Sequence, residues 1–180
     1  LDGNSLTLDE VIQVARNFEE VTLSDQGREQ IIKSRAIVDK ILEDEKPVYG
    51  ISTGFGDFCR ILISKEKRGT LQKNLILSHA AGVGNHLPED VVRAVILLRA
   101  NSLAKGYSGI KLSTVEMLLA LINRGVHPAI PAKGSVGASG DLVPLSHMVL
   151  VMLGKGEAYV KGQLMSGAEA LALAGLEPIE

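Results

Sequence analysis

The strongest restriction on this chain is what its core lacks. Three Tyr, three Phe and no Trp are spread over 180 residues, an aromatic share of 3%. The interior therefore has to be built from Leu, Ile, Val and Ala, whereas sandwiches and barrels lean on aromatic and β-branched strands. Helices packing on helices suit such a core. A mainly α fold is expected, with short strands and Gly-rich loops between the helices.

Hydrophobic residues make up 46% and charged residues 22% of the chain, which excludes global disorder. The net charge of -2 offers no basic excess for nucleic acid or an acidic membrane. Apolar runs such as Ile61–Ile63 and Val149–Leu153 fall far short of the roughly 20 residues that span a bilayer. Cys59 is the sole cysteine, so no internal disulfide is possible and a reducing, cytoplasmic setting is expected. The chain begins at Leu1 without a signal-peptide pattern, as expected of a trimmed intracellular polypeptide.

Capping boxes at Thr7-x-x-Glu10, Ser113-x-x-Glu116 and Ser166-x-x-Glu169 mark helix starts. The first predicts a helix ending near Asn17. Apolar spacing predicts a second over 25–43, with Ile31, Ile32, Ile37, Val38, Ile41 and Leu42 as its buried stripe. Val48–Ile51 reads as a short extended piece. Further helices are predicted over 65–81, 88–105 and 113–123. Pro128–Gly140 holds two prolines and three glycines and cannot be ordinary helix. Asp141 reads as the N-cap of a helix reaching Leu153, and Glu157–Leu164 as a small hairpin. The final Gly175–Glu180 reads as an interruption rather than a domain edge.

Several chemistries can be set aside. A P-loop needs Gly-Lys-Ser/Thr, but Gly140 is followed by Asp141. Gly54-Phe55-Gly56 and Gly82-Val83-Gly84 each lack the third glycine of a dinucleotide fingerprint. Gly137-Ala138-Ser139-Gly140 is not a nucleophile elbow. His79, His86, His127 and His147 form no i, i+4 pair, so no metal site is expected. Cys59 reads as a small buried hydrophobe rather than a nucleophile. What remains is Ala138-Ser139-Gly140. In a tightly bent chain the Gly140 nitrogen can attack the Ala138 carbonyl carbon, since glycine adds no side-chain bulk. Loss of two waters, one carrying the Ser139 hydroxyl, would leave a five-membered imidazolinone with an exocyclic methylene, a strong electrophile. The bland alternative is a flexible Gly-Ser loop capped by Asp141.

The stretch Gly134–Met148, GSVGASGDLVPLSHM, resembles the signature of the aromatic amino acid ammonia-lyases. The likeness continues upstream through Tyr49–Gly56, Leu77–Gly84 and Arg99–Gly109, in the family's order and spacing, and covers essentially the whole chain. It implies the N-terminal part of the helical fold shared with fumarase and aspartase. Residues 1–180 would be that portion, with the loop 134–141 forming the group and the C-terminal helical part absent. The implied cofactor is 4-methylidene-imidazol-5-one (MIO), formed from Ala138, Ser139 and Gly140 without any external cofactor, with Asp141 assisting. Tyr49 falls at the family's catalytic tyrosine. A phenol has an ordinary pKa near ~10, so the site would have to favour its phenolate for proton abstraction; the alternative is a tyrosine packed at the core edge.

Ser78-His79 falls where the family faces the substrate side chain, and this polar pair resembles the histidine-directed branch. The implied reaction is deamination of L-histidine to urocanate and ammonia. A tyrosine ammonia-lyase or tyrosine aminomutase is the alternative within the family, and a histidine satisfied by backbone at a helix end is the structural alternative. His86, His127 and His147 read as structural. Family members are far longer: their later portion supplies further substrate-binding groups, and their active sites are shared within a homotetramer. The isolated chain is thus expected to be inactive alone. A non-catalytic folding or assembly module is the rival from another class, and a helical small-anion-binding protein a third reading.

Overall fold

The computed structural model describes residues 1–44, 46–137 and 140–179. The helices among them are α1 (Leu8–Arg16), α2 (Asp25–Glu43), α3 (Lys65–His79), α4 (Glu89–Ala104), α5 (Leu112–Asn123), α6 (Leu142–Met152) and α7 (Gly167–Leu173). Five short strands lie between them: β1 (Val83–His86), β2 (Val126–Pro128), β3 (Pro131–Lys133), β4 (Glu157–Val160) and β5 (Gln163–Ser166). The mainly α expectation holds.

The core is aliphatic, as the composition requires. Val92, Ile96, Leu97 and Ala100 of α4 meet Val115, Leu118, Leu121 and Ile122 of α5. Met148, Val151 and Met152 of α6 and Leu171 of α7 extend the cluster over β2 and β4. Among the described residues, no aromatic side chain is buried in it. The strands form two antiparallel sheets, β1–β3 and β2–β4–β5. Lys161 (φ 50) and Gly162 (φ 76) join β4 to β5, a two-residue turn with both φ positive that matches the twist of a hairpin.

One cation sits inside this apolar interior. Arg93 of α4 is 1% exposed. Its Nε and Nη2 donate to the Val14 carbonyl of α1 at 3.0 and 2.7 Å, and Nη1 donates to the Ile122 carbonyl of α5 at 2.9 Å. Phe18, in a left-handed conformation, covers the guanidinium at 4.5 Å, a cation–π contact that offsets part of the desolvation. Burial lowers the Arg93 pKa, and Glu89 opposes the shift.

Elsewhere the structure departs from the periodicity. The boxes at Thr7 and Ser166 form, each with its reciprocal Glu contact. The one at Ser113 does not: α5 starts a residue earlier with Lys111 as cap, and Glu116 pairs with Arg28 of α2 at 2.6 Å. Helix α2 has the expected bounds, yet of its stripe only Ile31 is buried, while Ile37 is 63% exposed. The stripe is longer than the surface that α4 and α5 offer it. Val48–Ile51 is a turn, because the amides of Ile51, Ser52 and Thr53 all donate to the Val48 carbonyl. Pro88 caps α4 rather than opening it, and α3 stops at His79. Cys59 is exposed rather than buried.

Replacing Arg93 with Ala leaves the Val14 carbonyl without its partner in the interior, while the Ile122 carbonyl keeps the Gly125 N–H at 3.3 Å. The expected loss is about 1–3 kcal/mol of stability, read as a lower urea midpoint with an unchanged m-value.

Candidate active site

The loop 134–141 is anchored at both ends. At its start, β3 pairs with β1 in the register Val83↔Lys133 and His86↔Pro131, irregular in between. At its end, Asp141 leads into α6, and its carbonyl accepts from Leu145 N–H at 3.2 Å. Asp141 occupies the cap position with left-handed dihedrals (φ 57, ψ 39) and makes no side-chain cap bond. Its carboxylate is turned instead to Ser135, whose hydroxyl donates to it. The same hydroxyl accepts from Gly137 N–H at 3.2 Å. Ser135 is therefore the polar pin of the loop. Its position inside the motif was the only sequence signal for it.

Ala138 and Ser139, expected to form the electrophile, lie outside the described residues. Their flanks are described. The Gly140 amide donates to the Gly137 carbonyl at 3.1 Å. Gly140 has φ +78, and among the described residues nothing lies within 4 Å of where a Cβ would stand. Helix α6 begins at Leu142, so its free N–H groups lie next to the loop.

The second predicted element comes to the same region. Helix α3 packs beside α6 and ends on Ser78-His79. Ser78 Oγ donates to the Leu75 carbonyl at 2.8 Å. His79 Nδ1 lies 2.8 Å from that carbonyl and 3.1 Å from Ser78 Oγ. A carbonyl can only accept, so Nδ1 carries a proton, and in the neutral ring Nε2 is then the acceptor. The backbone thus satisfies one ring nitrogen of His79 and sets the tautomer of the other. Beyond His79 the chain reaches Gly82, whose N–H donates to His147 Nε2 at 3.0 Å.

Tyr49 stands apart. It is 62% exposed, and its ring is edge-on to Phe55 with centroids 5.8 Å apart. Among the described residues, no hydrogen bond joins it to Ser78, His79 or the loop 134–141. Its loop has a buried polar centre that sequence reading missed. Ser52 Oγ accepts from Val48 N–H at 2.9 Å and donates to the Lys46 carbonyl, while Thr53 Oγ1 donates to the Gly54 carbonyl at 3.1 Å. Only the threonine and serine inside Tyr49–Gly56 hinted at this.

Two shallow concavities lie elsewhere. One of about 340 Å³ is lined by residues including His86, Glu89, His127 and Tyr159, and its neighbour includes Phe18, Arg93 and Lys161. Neither is lined by Tyr49, Ser78, His79 or the loop. They adjoin structural histidines. Arg93 Nη1 lies 3.3 Å from His127 Nε2; arginine only donates, so that nitrogen accepts and His127 is neutral.

A family model described as aromatic amino acid lyase matches residues 6–180. A histidine ammonia-lyase from Alkaliphilus oremlandii is 56% identical over 99% of the chain. The chain spans 35% of that relative's length. Among solved structures, the histidine ammonia-lyase of Trypanosoma cruzi superposes with a TM-score of 0.92 at 41% identity, covering 99% of this chain and 34% of that one. An ergothioneine-degrading ergothionase from Treponema denticola superposes with a TM-score of 0.95 at 35% identity, over 99% of this chain and 36% of that one.

Both His127 and His147 have pKa values below the ordinary 6.5, mainly through burial; Arg93 adds at His127 against Glu89, and His86 adds at His147. Because the folded state disfavours protonating them, the unfolded chain takes up protons first as the pH falls. Their contribution to stability is complete above pH 6.5 and is lost as the pH drops from there through the lowered folded values. Thermal unfolding should therefore give a lower Tm at about pH 5.5 than at about pH 7.5. His127→Gln and His147→Gln should each flatten that slope.

Proposed function

The chain belongs to the aromatic amino acid lyase family, and from that premise we propose that it is the N-terminal portion of an enzyme that deaminates L-histidine to urocanate and ammonia. The observation that carries the substrate is the 56% identity to a histidine ammonia-lyase over nearly the whole chain. The polar Ser78-His79 pair at the end of α3 agrees with it. The whole protein's site, including the groups that hold the substrate carboxylate and amine, would be completed by later chain and by partner subunits of a homotetramer. A cytoplasmic setting goes with that reading, and no helix among the described residues is long and apolar enough to cross a membrane.

In this proposal Ala138, Ser139 and Gly140 form MIO, whose chemistry is to activate the amino acid for ammonia loss as an electrophile. The chain's own residues do the rest. The Gly140 nitrogen closes on the Ala138 carbonyl carbon; one water leaves with that carbonyl oxygen and the second with the Ser139 hydroxyl. Asp141, whose carboxylate Ser135 holds, is the candidate to receive that nitrogen's proton. The start of α6 favours negative charge that develops at the loop. Tyr49 removes the β-carbon proton at its phenolic oxygen. His79 presents Nε2, an acceptor for an imidazole N–H, and a phenyl side chain in the same place would leave that acceptor unpaired.

On the full-length protein, Tyr49→Phe should cut kcat by roughly 10²–10⁴-fold and leave the two-water mass deficit at the 138–140 peptide intact. Ser139→Ala should abolish both the deficit and the activity. His79→Leu should lower kcat/KM for histidine by about tenfold to a hundredfold. Urocanate as the product supports the proposal; coumarate or a β-amino acid from tyrosine, or turnover of ergothioneine alone, would replace it.

A further inference from the structure

Between the end of α3 and the loop 134–141 lies a contact that neither motif explains by itself. The Ala81 amide donates to the His79 carbonyl at 2.9 Å, and the Ala80 amide to that of Ile76 at 3.1 Å. The step from His79 to Gly82 is therefore a closed turn, not slack chain. Gly82 then meets the other side. Its N–H donates to His147 Nε2 at 3.0 Å, and its Cα lies 3.2 Å from where Gly134 would carry a Cβ. A Cβ on Gly82 would come within 3.0 Å of Pro131 Cβ and 3.1 Å of His147 Nε2, and one on Gly134 within 2.5 Å of Val143 Cγ1. Two glycines are thus pressed together between β3 and α6. Among the described residues, the side chain that accepts from Gly82 across this seam is that of His147.

We infer that His147 is a positioning residue: by accepting the Gly82 N–H it locks the turn behind Ser78-His79 onto the loop 134–141, and so sets how far the substrate-facing pair stands from the electrophile-forming triplet. The inference rests on the lyase reading for its consequence, though the contact itself does not. His147 lies on the second turn of α6, whose first turn follows Asp141 directly. One rigid helix therefore carries both the loop's exit and the acceptor that holds Gly82. A histidine that accepts at Nε2 must be neutral with its proton on Nδ1, and burial favours that form here.

The test uses the full-length protein with His147→Leu, His147→Gln and Gly82→Ala. Three quantities are read: the fraction of chains with the two-water deficit at the 138–140 peptide, KM and kcat for histidine among processed molecules, and Tm. His147→Leu should lower the processed fraction several-fold and raise KM about tenfold, the worth of one hydrogen bond. Glutamine, whose amide oxygen can accept from the Gly82 N–H, should restore both. Gly82→Ala should reproduce the defect with His147 intact, because the added methyl pushes the same contact apart from its other side. Wild-type processing and KM in His147→Leu overturn the inference. So does a glutamine variant as impaired as the leucine one, since that would assign the effect to ring packing. A wild-type protein with neither deficit nor urocanate overturns the lyase reading and this inference together; a processed, active wild type with unaffected variants overturns this inference alone.

Discussion

The buried guanidinium of Arg93 ties α1, α4 and α5 together where aliphatic packing alone would let them slide. Leu, Ile, Val and Ala surfaces are adhesive but poorly directional, and many rotations of one helix on another bury similar area. Hydrogen bonds to Val14 and Ile122 remove that freedom, because each carbonyl lies near a helix end and has a fixed direction. The arrangement is costly to break, since the charge and the Val14 carbonyl would be left without partners inside the protein. The His127 ring is then held neutral beside it, and β2 is placed at the base of α5.

That frame matters for chemistry because the loops it carries have little core of their own. No residue of α3 is buried, and Tyr49 sits on a loop held by Ser52 and Thr53. The loop 134–141 depends on its two ends: a short irregular pairing of β1 with β3, and the start of α6. Ser135, the Gly82–Gly134 approach and His147 convert those ends into a defined geometry. Ser78-His79 and the loop therefore come to one region, whereas Tyr49 remains apart in a chain spanning about a third of its relatives' length.

Much of the helical layout was legible in the sequence. The caps at Thr7 and Ser166 and the bounds of α2 are local matters, governed by side chains reaching backbone groups three residues away. Where a competing partner exists, local rules fail. Glu116 pairs with Arg28 and leaves the Ser113 box unmade, and Ser135 turns the Asp141 carboxylate away from α6. Strand β1 was not legible at all, because Val83-Gly84-Asn85-His86 has weak strand propensity and owes its extension to β3.

By itself the sequence determined the aliphatic, helical character of the core, the impossibility of helix through Pro128–Gly140, and the candidate residues Tyr49, Ser78, His79 and the Ala138–Asp141 motif. Composition and local stereochemistry suffice for those, since each depends on the residue type at one position or within one turn. Only the tertiary structure decided that Arg93 lies buried among carbonyls and that His147 reaches Gly82 across 65 residues of chain. Such contacts join segments with no sequence relation to each other. Their geometry is set by how rigid helices stack, which no local pattern encodes.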